Sequence, residues 1–234
     1  MHGVFLTGTD TGCGKTYAAV RLIEALSQHG LRVAGYKPVA AGAVMSDGFL
    51  QNDDALALWR AGSSGFSYQQ INPYCLAEAV SPHLAAQAAG VQIAVEVIAD
   101  GLAELAARSD CVVVEGAGGW FVPLGPNLDI AELVRHLALP VILVVGLRLG
   151  CLNHAQLSER AILASGVNLL GWVGSHVDGE MARLDENLDT LRQRLQSPCL
   201  GVLTQRLTGQ PQDVGSPFDL DAIFDVLGIS NHTR

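Results

Sequence analysis

A glycine-rich run ending in Lys-Thr, set between a short apolar segment and an amphipathic one, constrains this chain more than any other feature. Val4-Phe5-Leu6-Thr7 reads as a buried strand. Lys15–Gln28 reads as a helix with Ala18, Ala19, Leu22, Ile23 and Leu26 on one apolar face, stopped by Gly30. Between them lies Gly8-Thr9-Asp10-Thr11-Gly12-Cys13-Gly14-Lys15-Thr16. Glycines there let backbone N–H groups turn inward around phosphate oxygens, and the helix start adds partial positive charge. In such a P-loop Gly12, Cys13 and Gly14 line the phosphates, Lys15 reaches the β- and γ-phosphates, and the Thr16 hydroxyl ligates Mg²⁺. The spacing departs from the usual form. Gly8 is followed by five residues rather than four before Gly14-Lys15, and Thr9 stands where the first glycine is expected.

The rest of the chain keeps alternating apolar runs with helical patterns, the signature of βαβ units and a parallel sheet. Strands are expected at 31–36, 111–114, 141–145, 170–173 and 200–203. Helices are expected at 52–59, 95–108, 152–165, 185–195 and 218–228. A glycine-rich loop follows the second strand, and 208–217 reads as another loop. Cys111-Val112-Val113-Val114 and Val141-Ile142-Leu143-Val144-Val145 are too continuously apolar for exposed strands. The expectation is one doubly wound α/β domain of P-loop NTPase type over residues 1–228, its mostly parallel sheet flanked by helices. Residues 229–234 are expected to be a loose tail.

Charge narrows the partners. The 23 acids against 14 bases give a net charge of −9, which argues against nucleic acid or an anionic membrane. Five cysteines without a C-x-x-C spacing suggest neither a disulfide framework nor a zinc site. No apolar run reaches the roughly 20 residues of a membrane-spanning helix. Met1-His2-Gly3-Val4-Phe5-Leu6 lacks the basic region and longer apolar stretch of a signal peptide. A cytoplasmic enzyme with small-molecule substrates is expected.

A magnesium ion between phosphates needs hard oxygen ligands. Glu115 ends the strand 111–114, at the carboxyl edge where open α/β sheets bind ligands, and Gly116-Ala117-Gly118-Gly119 reads as a flexible loop beside it. Asn52-Asp53-Asp54 reads as helix-capping chemistry, and on the residues alone capping is the better reading of Asp54. Lys37, between the second strand and Pro38, is open between a surface lysine and a functional one.

Taken together, several segments resemble the dethiobiotin synthetase family. They are the loop from Thr7 to Thr16, Gly35-Tyr36-Lys37-Pro38-Val39-Ala40, Asp54-Ala55-Leu56-Ala57-Leu58, Asn72-Pro73-Tyr74 and Ser81-Pro82-His83. Val114-Glu115-Gly116-Ala117-Gly118-Gly119-Trp120-Phe121 and the run from Leu143 to Ala155 extend the likeness, which fades past residue 178. The five-residue loop spacing is this family's own form.

The resemblance implies ATP- and Mg²⁺-dependent ring closure of 7,8-diaminononanoate with CO₂, through a carbamate and a carbamic–phosphoric anhydride. It implies Lys15 at the γ-phosphate, Lys37 between carbamate and phosphate, and Thr11 and Gly118 near the carbamate. Thr16, Asp54 and Glu115 match the metal positions. The family's substrate site lies at a homodimer interface, where Gly150, Cys151, Leu152 and Asn153 of the second subunit correspond to the helix start that holds the substrate carboxylate. Cys151 then contributes backbone and not a nucleophile, while His83 and His154 keep a packing or capping reading.

Four positions depart from the family's pattern, one of them Ala79, which with Glu78 stands for a frequent Glu-Pro before Ser81 and is expected to be harmless. Gly12 stands for a frequent Glu and Ala41 for a frequent Ser at substrate contacts, and Ser175 for a frequent Asn beside adenine. A serine offers less than the donor–acceptor pair of an Asn, so loose nucleotide selectivity is expected. Alternatives are a paralogous ligase acting on another diamine or acid, and a partitioning-type ATPase. The latter usually carries a lysine early in the loop, where this chain has Asp10. Cobyrinate amidases need a glutaminase domain for which 234 residues leave no room.

Overall fold

Six apolar strands line up in parallel, and the face each residue takes follows from the strand period of two. A computed structural model describes residues 3–177, 181–203 and 218–227. The chain begins with β1 (Gly3–Gly8), α1 (Lys15–Gln28), β2 (Val33–Tyr36), β3 (Val39–Ala40), β4 (Val44–Ser46) and β5 (Phe49–Gln51). Next come α2 (Asp53–Ala61), α3 (Tyr68–Ile71), β6 (Tyr74–Cys75), α4 (Pro82–Ala88), α5 (Val95–Arg108) and β7 (Cys111–Gly119). Then follow β8 (Pro123–Gly125), β9 (Leu128–Asp129), α6 (Ile130–Leu137), β10 (Val141–Leu147) and α7 (Cys151–Ala164). The last are β11 (Leu169–His176), α8 (Leu184–Arg194), β12 (Cys199–Leu203) and α9 (Leu220–Leu227).

The sheet order is β12-β11-β10-β1-β7-β2, with every pairing parallel. Helices cover both faces, as the expected α/β class requires. Val4 and Leu6 of β1 pack with Val113, Ile142 and the Leu22-Ile23-Leu26 face of α1. Phe5, between them, points the other way, into a cluster with Val112, Val114, Leu102 and Leu105. Leu22, Ile23 and Leu26 are fully buried, each worth about 1.5–3 kcal/mol by transfer. Among the described residues no helix is long and apolar enough to cross a membrane.

Several elements differ from the sequence expectation. The segment after Tyr36, expected as a loop, contains the antiparallel pair β4–β5, with Val44 opposite Gln51. Its turn is Asp47-Gly48, both left-handed at φ 52° and 86°, the conformation that favours Asp-Gly in two-residue hairpins. Helix α6 also escaped the sequence reading, although its start is a capping box. Asp129 accepts from the Glu132 N–H at 2.8 Å while the Glu132 carboxylate accepts from the Asp129 N–H at 3.2 Å. Strand β7 does not stop before Glu115. It runs on to Gly119, because β1 continues beside it and Gly8 meets Gly119 after a register shift. The expected loop at 208–217 and tail at 229–234 lie outside the described residues.

Candidate functional site

The site forms where strand register brings separate segments to one sheet edge. In the β2–β7 pairing Tyr36 is opposite Val114, so the next residues, Lys37 and Glu115, emerge side by side. On its other side Glu115 is in register with Leu6 of β1, two residues before Gly8. The phosphate loop therefore opens directly above Glu115.

The loop is shaped by its glycines. Gly14 caps α1 at φ 88°, with no side-chain cap and no acidic residue in the first turn. The positive end of the helix is left without an anion of its own. A Cβ at Gly14 would lie 2.2 Å from Ser175 Oγ, and one at Gly8 would lie 2.4 Å from Cys13 Sγ, so neither position admits a side chain without displacement. Lys15 Nζ donates to the Asp10 carbonyl at 2.9 Å and lies 3.8 Å from Cys13 Sγ. The carboxylate of Asp10 accepts from the Thr11 N–H at 2.7 Å and pairs with Arg148 at 2.7 Å.

Charge is concentrated one layer below. Glu115 Oε1 accepts from Thr16 Oγ1 at 2.9 Å and from Lys37 Nζ at 2.6 Å. Lys37 Nζ also donates to the Gly116 carbonyl at 3.0 Å and lies 3.5 Å from Asp54 Oδ2. The side chains of Lys37 and Glu115 are only 4% and 1% exposed. Burial alone pulls an ammonium pKa down, but Glu115 and Asp54 outweigh it and hold Lys37 above its ordinary value. Lys37 is thus a buried cation, not a surface lysine.

Asp54 is not the cap of α2. That role belongs to Asn52, whose Oδ1 accepts from the Asp54 N–H at 3.1 Å and the Ala55 N–H at 3.3 Å. The Asp54 carboxylate is half exposed and turned to Lys37. A cleft of about 570 Å³ gathers Thr11, Lys15, Thr16, Lys37, Asp54 and Glu115. Ala41 and Gly118 line it as well. A Cβ on Gly118, at φ 65°, would meet Val122 Cγ2 at 2.6 Å and Thr11 Oγ1 at 3.5 Å, which makes Gly118 a close neighbour of Thr11.

The AAA domain family matches residues 2–211. An ATP-dependent dethiobiotin synthetase of Xylella fastidiosa (strain 9a5c) is 51% identical over 203 residues, covering 87% of this chain and 90% of that protein. Another, from Pseudomonas aeruginosa (strain UCBPP-PA14), is 47% identical over 221 residues, covering 94% of this chain and 97% of that protein. The chain belongs to the ATP-dependent dethiobiotin synthetase family. With membership comes the class, an ATP-dependent ligase of biotin biosynthesis. Two solved structures share the fold alone. The septum site-determining protein MinD of Pyrococcus horikoshii has a TM-score of 0.54 at 15% identity, over 88% of this chain and 82% of that one. The receptor FtsY of Elizabethkingia anophelis has a TM-score of 0.53 at 16% identity, over 95% of this chain and 65% of that one.

Within this dethiobiotin synthetase family member, other expected residues stand apart from the cleft. Gly150, Cys151, Leu152 and Asn153 form the start of α7 and do not line it. Gly150 caps α7 at φ 99° without a side-chain bond, and Leu149 beside it is 99% exposed. Cys151 is buried, and burial pushes its thiol up, away from nucleophilic thiolate. Ser175 does not line the cleft either. It is fully buried in β11 behind Gly14, and its Oγ has no hydrogen-bond partner among the described residues. Conversely, Ala79, Val80, Ser81 and Pro82 form a cleft wall to which sequence reasoning assigned no role. Ser81-Pro82 at a helix start was the available signal.

Proposed function

We propose that the chain converts 7,8-diaminononanoate, CO₂ and ATP into dethiobiotin, ADP and phosphate in this cleft. The observation that carries the reading is the buried Lys37 held beside Glu115 at the mouth of the phosphate loop. Family membership supports the reaction, and the geometry of the cleft supports the roles given to its residues.

One amine of the substrate adds CO₂ and loses a proton to become a carbamate. A carbamate oxygen attacks the γ-phosphorus, the bond to the β-phosphate oxygen breaks, and ADP leaves. The second amine then attacks the carbamate carbon, phosphate departs, and the amine proton is released as the ring closes. Two anions must approach each other before the first bond forms. Lys15, released from the Asp10 carbonyl, neutralises the γ-phosphate from the loop side. Lys37 is already fixed in its charged form and needs no reorganisation as charge builds between carbamate and phosphate. Thr11 and Gly118, neighbours across the cleft, hold the carbamate end.

The donor set suits magnesium. Thr16, Asp54 and Glu115 offer a hydroxyl and two carboxylates, and Glu115 Oε2 is buried without a hydrogen-bond partner among the described residues. No group of three His, Cys, Asp or Glu gathers among those residues, so phosphate oxygens and water would complete the shell. When bound, the ion would screen the charges of the phosphates.

We place the substrate carboxylate at the α7 start of a second copy, which makes the working unit a homodimer. The family resemblance points there, and the uncapped helix start with its exposed Leu149 supports it.

The test is incubation of purified protein with diaminononanoate, bicarbonate, Mg²⁺ and ATP, with dethiobiotin read by mass spectrometry. Product should vanish without bicarbonate and on Lys37→Ala. ATP hydrolysis without dethiobiotin would overturn the substrate and leave a paralogous ligase acting on another diamine or acid.

A further inference from the structure

Lys37 stands one residue beyond the last β2–β7 pair, Tyr36 with Val114, and is followed by Pro38, which has no N–H. The sheet therefore does not hold its backbone. Instead the Lys37 N–H donates to the Ile71 carbonyl at 2.9 Å, and the Lys37 carbonyl accepts from Asn72 Nδ2 at 2.6 Å. Both partners sit at the end of α3, where Asn72 is the residue that closes the helix.

The same short helix reaches Asp54. The Tyr68 hydroxyl donates to Asn72 Oδ1 at 3.1 Å and accepts from the Asn52 N–H at 2.8 Å. Asn52 in turn caps the first turn of α2, which carries Asp54, and its Nδ2 donates to the Ala41 carbonyl in the cleft wall at 3.1 Å. Tyr68, Asn72 and Asn52 are all buried. A single phenol oxygen thus ties the peptide beneath Lys37 to the helix start beneath Asp54.

We propose that Tyr68 and Asn72 are positioning residues that set Lys37 against Asp54 and Glu115 for the reaction. The proposal rests on the function given above. Neither residue lines the cleft, and both act through Lys37 and Asn52. Apolar side chains could fill the same space, but only a group that donates and accepts at once can join these two segments. The 3.5 Å between Lys37 Nζ and Asp54 Oδ2 is then a product of this bracket. In-line transfer is sensitive to displacements of that scale, since a misplacement of about 1 Å can cost about 10²-fold.

The test uses four variants of the full chain, each measured for kcat, KM for ATP and Tm. Tyr68→Phe keeps the ring and removes the hydroxyl. Asn72→Ala removes both the donor and the acceptor of the amide, and Asn72→Asp keeps the acceptor for Tyr68 but removes the donor to Lys37. Ser67→Ala breaks the exposed capping box of α3, in which Ser67 Oγ accepts from the Gln70 N–H at 3.3 Å, and leaves the buried bonds intact. In the first three, kcat should fall about tenfold or more while KM for ATP stays within about twofold. Ser67→Ala should lower Tm and keep kcat within about twofold. Unchanged kcat in Tyr68→Phe, or kcat that follows Tm through all four variants, overturns the proposal.

A crystal structure of Tyr68→Phe separates this proposal from the function on which it rests. If the unmodified protein makes no dethiobiotin, the assigned reaction fails. Positioning is then judged by whether Lys37 Nζ leaves its 2.6 Å contact with Glu115. A lysine that stays in place overturns it.

Discussion

Lys37 Nζ and Glu115 Oε1 lie 2.6 Å apart in the interior of the sheet edge, although 78 residues separate them in the chain. Strands β2 and β7, in parallel with Tyr36 opposite Val114, bring their next residues to the same point, and the end of α3 holds the Lys37 peptide there. Removing one partner of such a pair leaves an uncompensated buried charge, which costs about 3–5 kcal/mol.

This pair makes stability depend on alkaline pH. The folded protein holds the Lys37 pKa above its ordinary 10.5, so its contribution is fully present below that value. It is lost as pH rises through the folded value, because the unfolded chain has already released the proton. Thermal unfolding of the intact chain should therefore lose more Tm between about pH 9 and about pH 11.5 than unfolding of Lys37→Met, which has no such group. Parallel losses in the two proteins would remove Lys37 as the cause.

Gly118 carries a steric prediction. Gly118→Ala places a methyl 2.6 Å from Val122 Cγ2 in a left-handed backbone at φ 65°. Strain of this kind costs of order 1–3 kcal/mol, and the Val122 side chain must shift to make room, beside Thr11 Oγ1 at 3.5 Å. A lower Tm together with at least about a tenfold loss of kcat is expected. Full activity in Gly118→Ala would show that the backbone here tolerates movement during turnover.

Nucleotide choice should be loose. Ser175, where the family often has Asn, is enclosed behind Gly14 and offers one short hydroxyl in place of an amide's donor and acceptor. On the proposal that this position reads adenine, GTP and CTP should support dethiobiotin formation within about tenfold of ATP in kcat/KM. A preference for ATP above about a hundredfold would mean that adenine is read elsewhere.

The proposed dimer gives a separable outcome. Leu149, 99% exposed beside the start of α7, should be covered by the second copy. Sedimentation should show a particle of twice 24.6 kDa. Leu149→Glu should favour the monomer and raise the KM for diaminononanoate, with ATP affinity within about twofold. A monomeric intact protein with full activity would end the two-subunit site.

Much of the architecture was legible because it rests on local chemistry. The strand before Gly8, the helix after Gly14 and the parallel α/β class follow from apolar period and turn residues, signals that nearby residues carry by themselves. The phosphate loop was legible for the same reason, since its function uses consecutive backbone groups. The β4–β5 hairpin and α6 were equally local, written in Asp47-Gly48 and in the Asp129–Glu132 capping box, and were readable in principle.

The state of Lys37, the role of Asp54 and the bracket through Tyr68 were not readable in that way. The residues alone left Lys37 open between surface and site, and favoured a cap for Asp54. Strand register carries Lys37 to Glu115, and the Asn52 cap leaves the Asp54 carboxylate out of the capping role and turned to Lys37. A charge takes its meaning from what surrounds it in space. Desolvation and Coulomb attraction depend on distances across the fold, and spacing along the chain does not encode those distances.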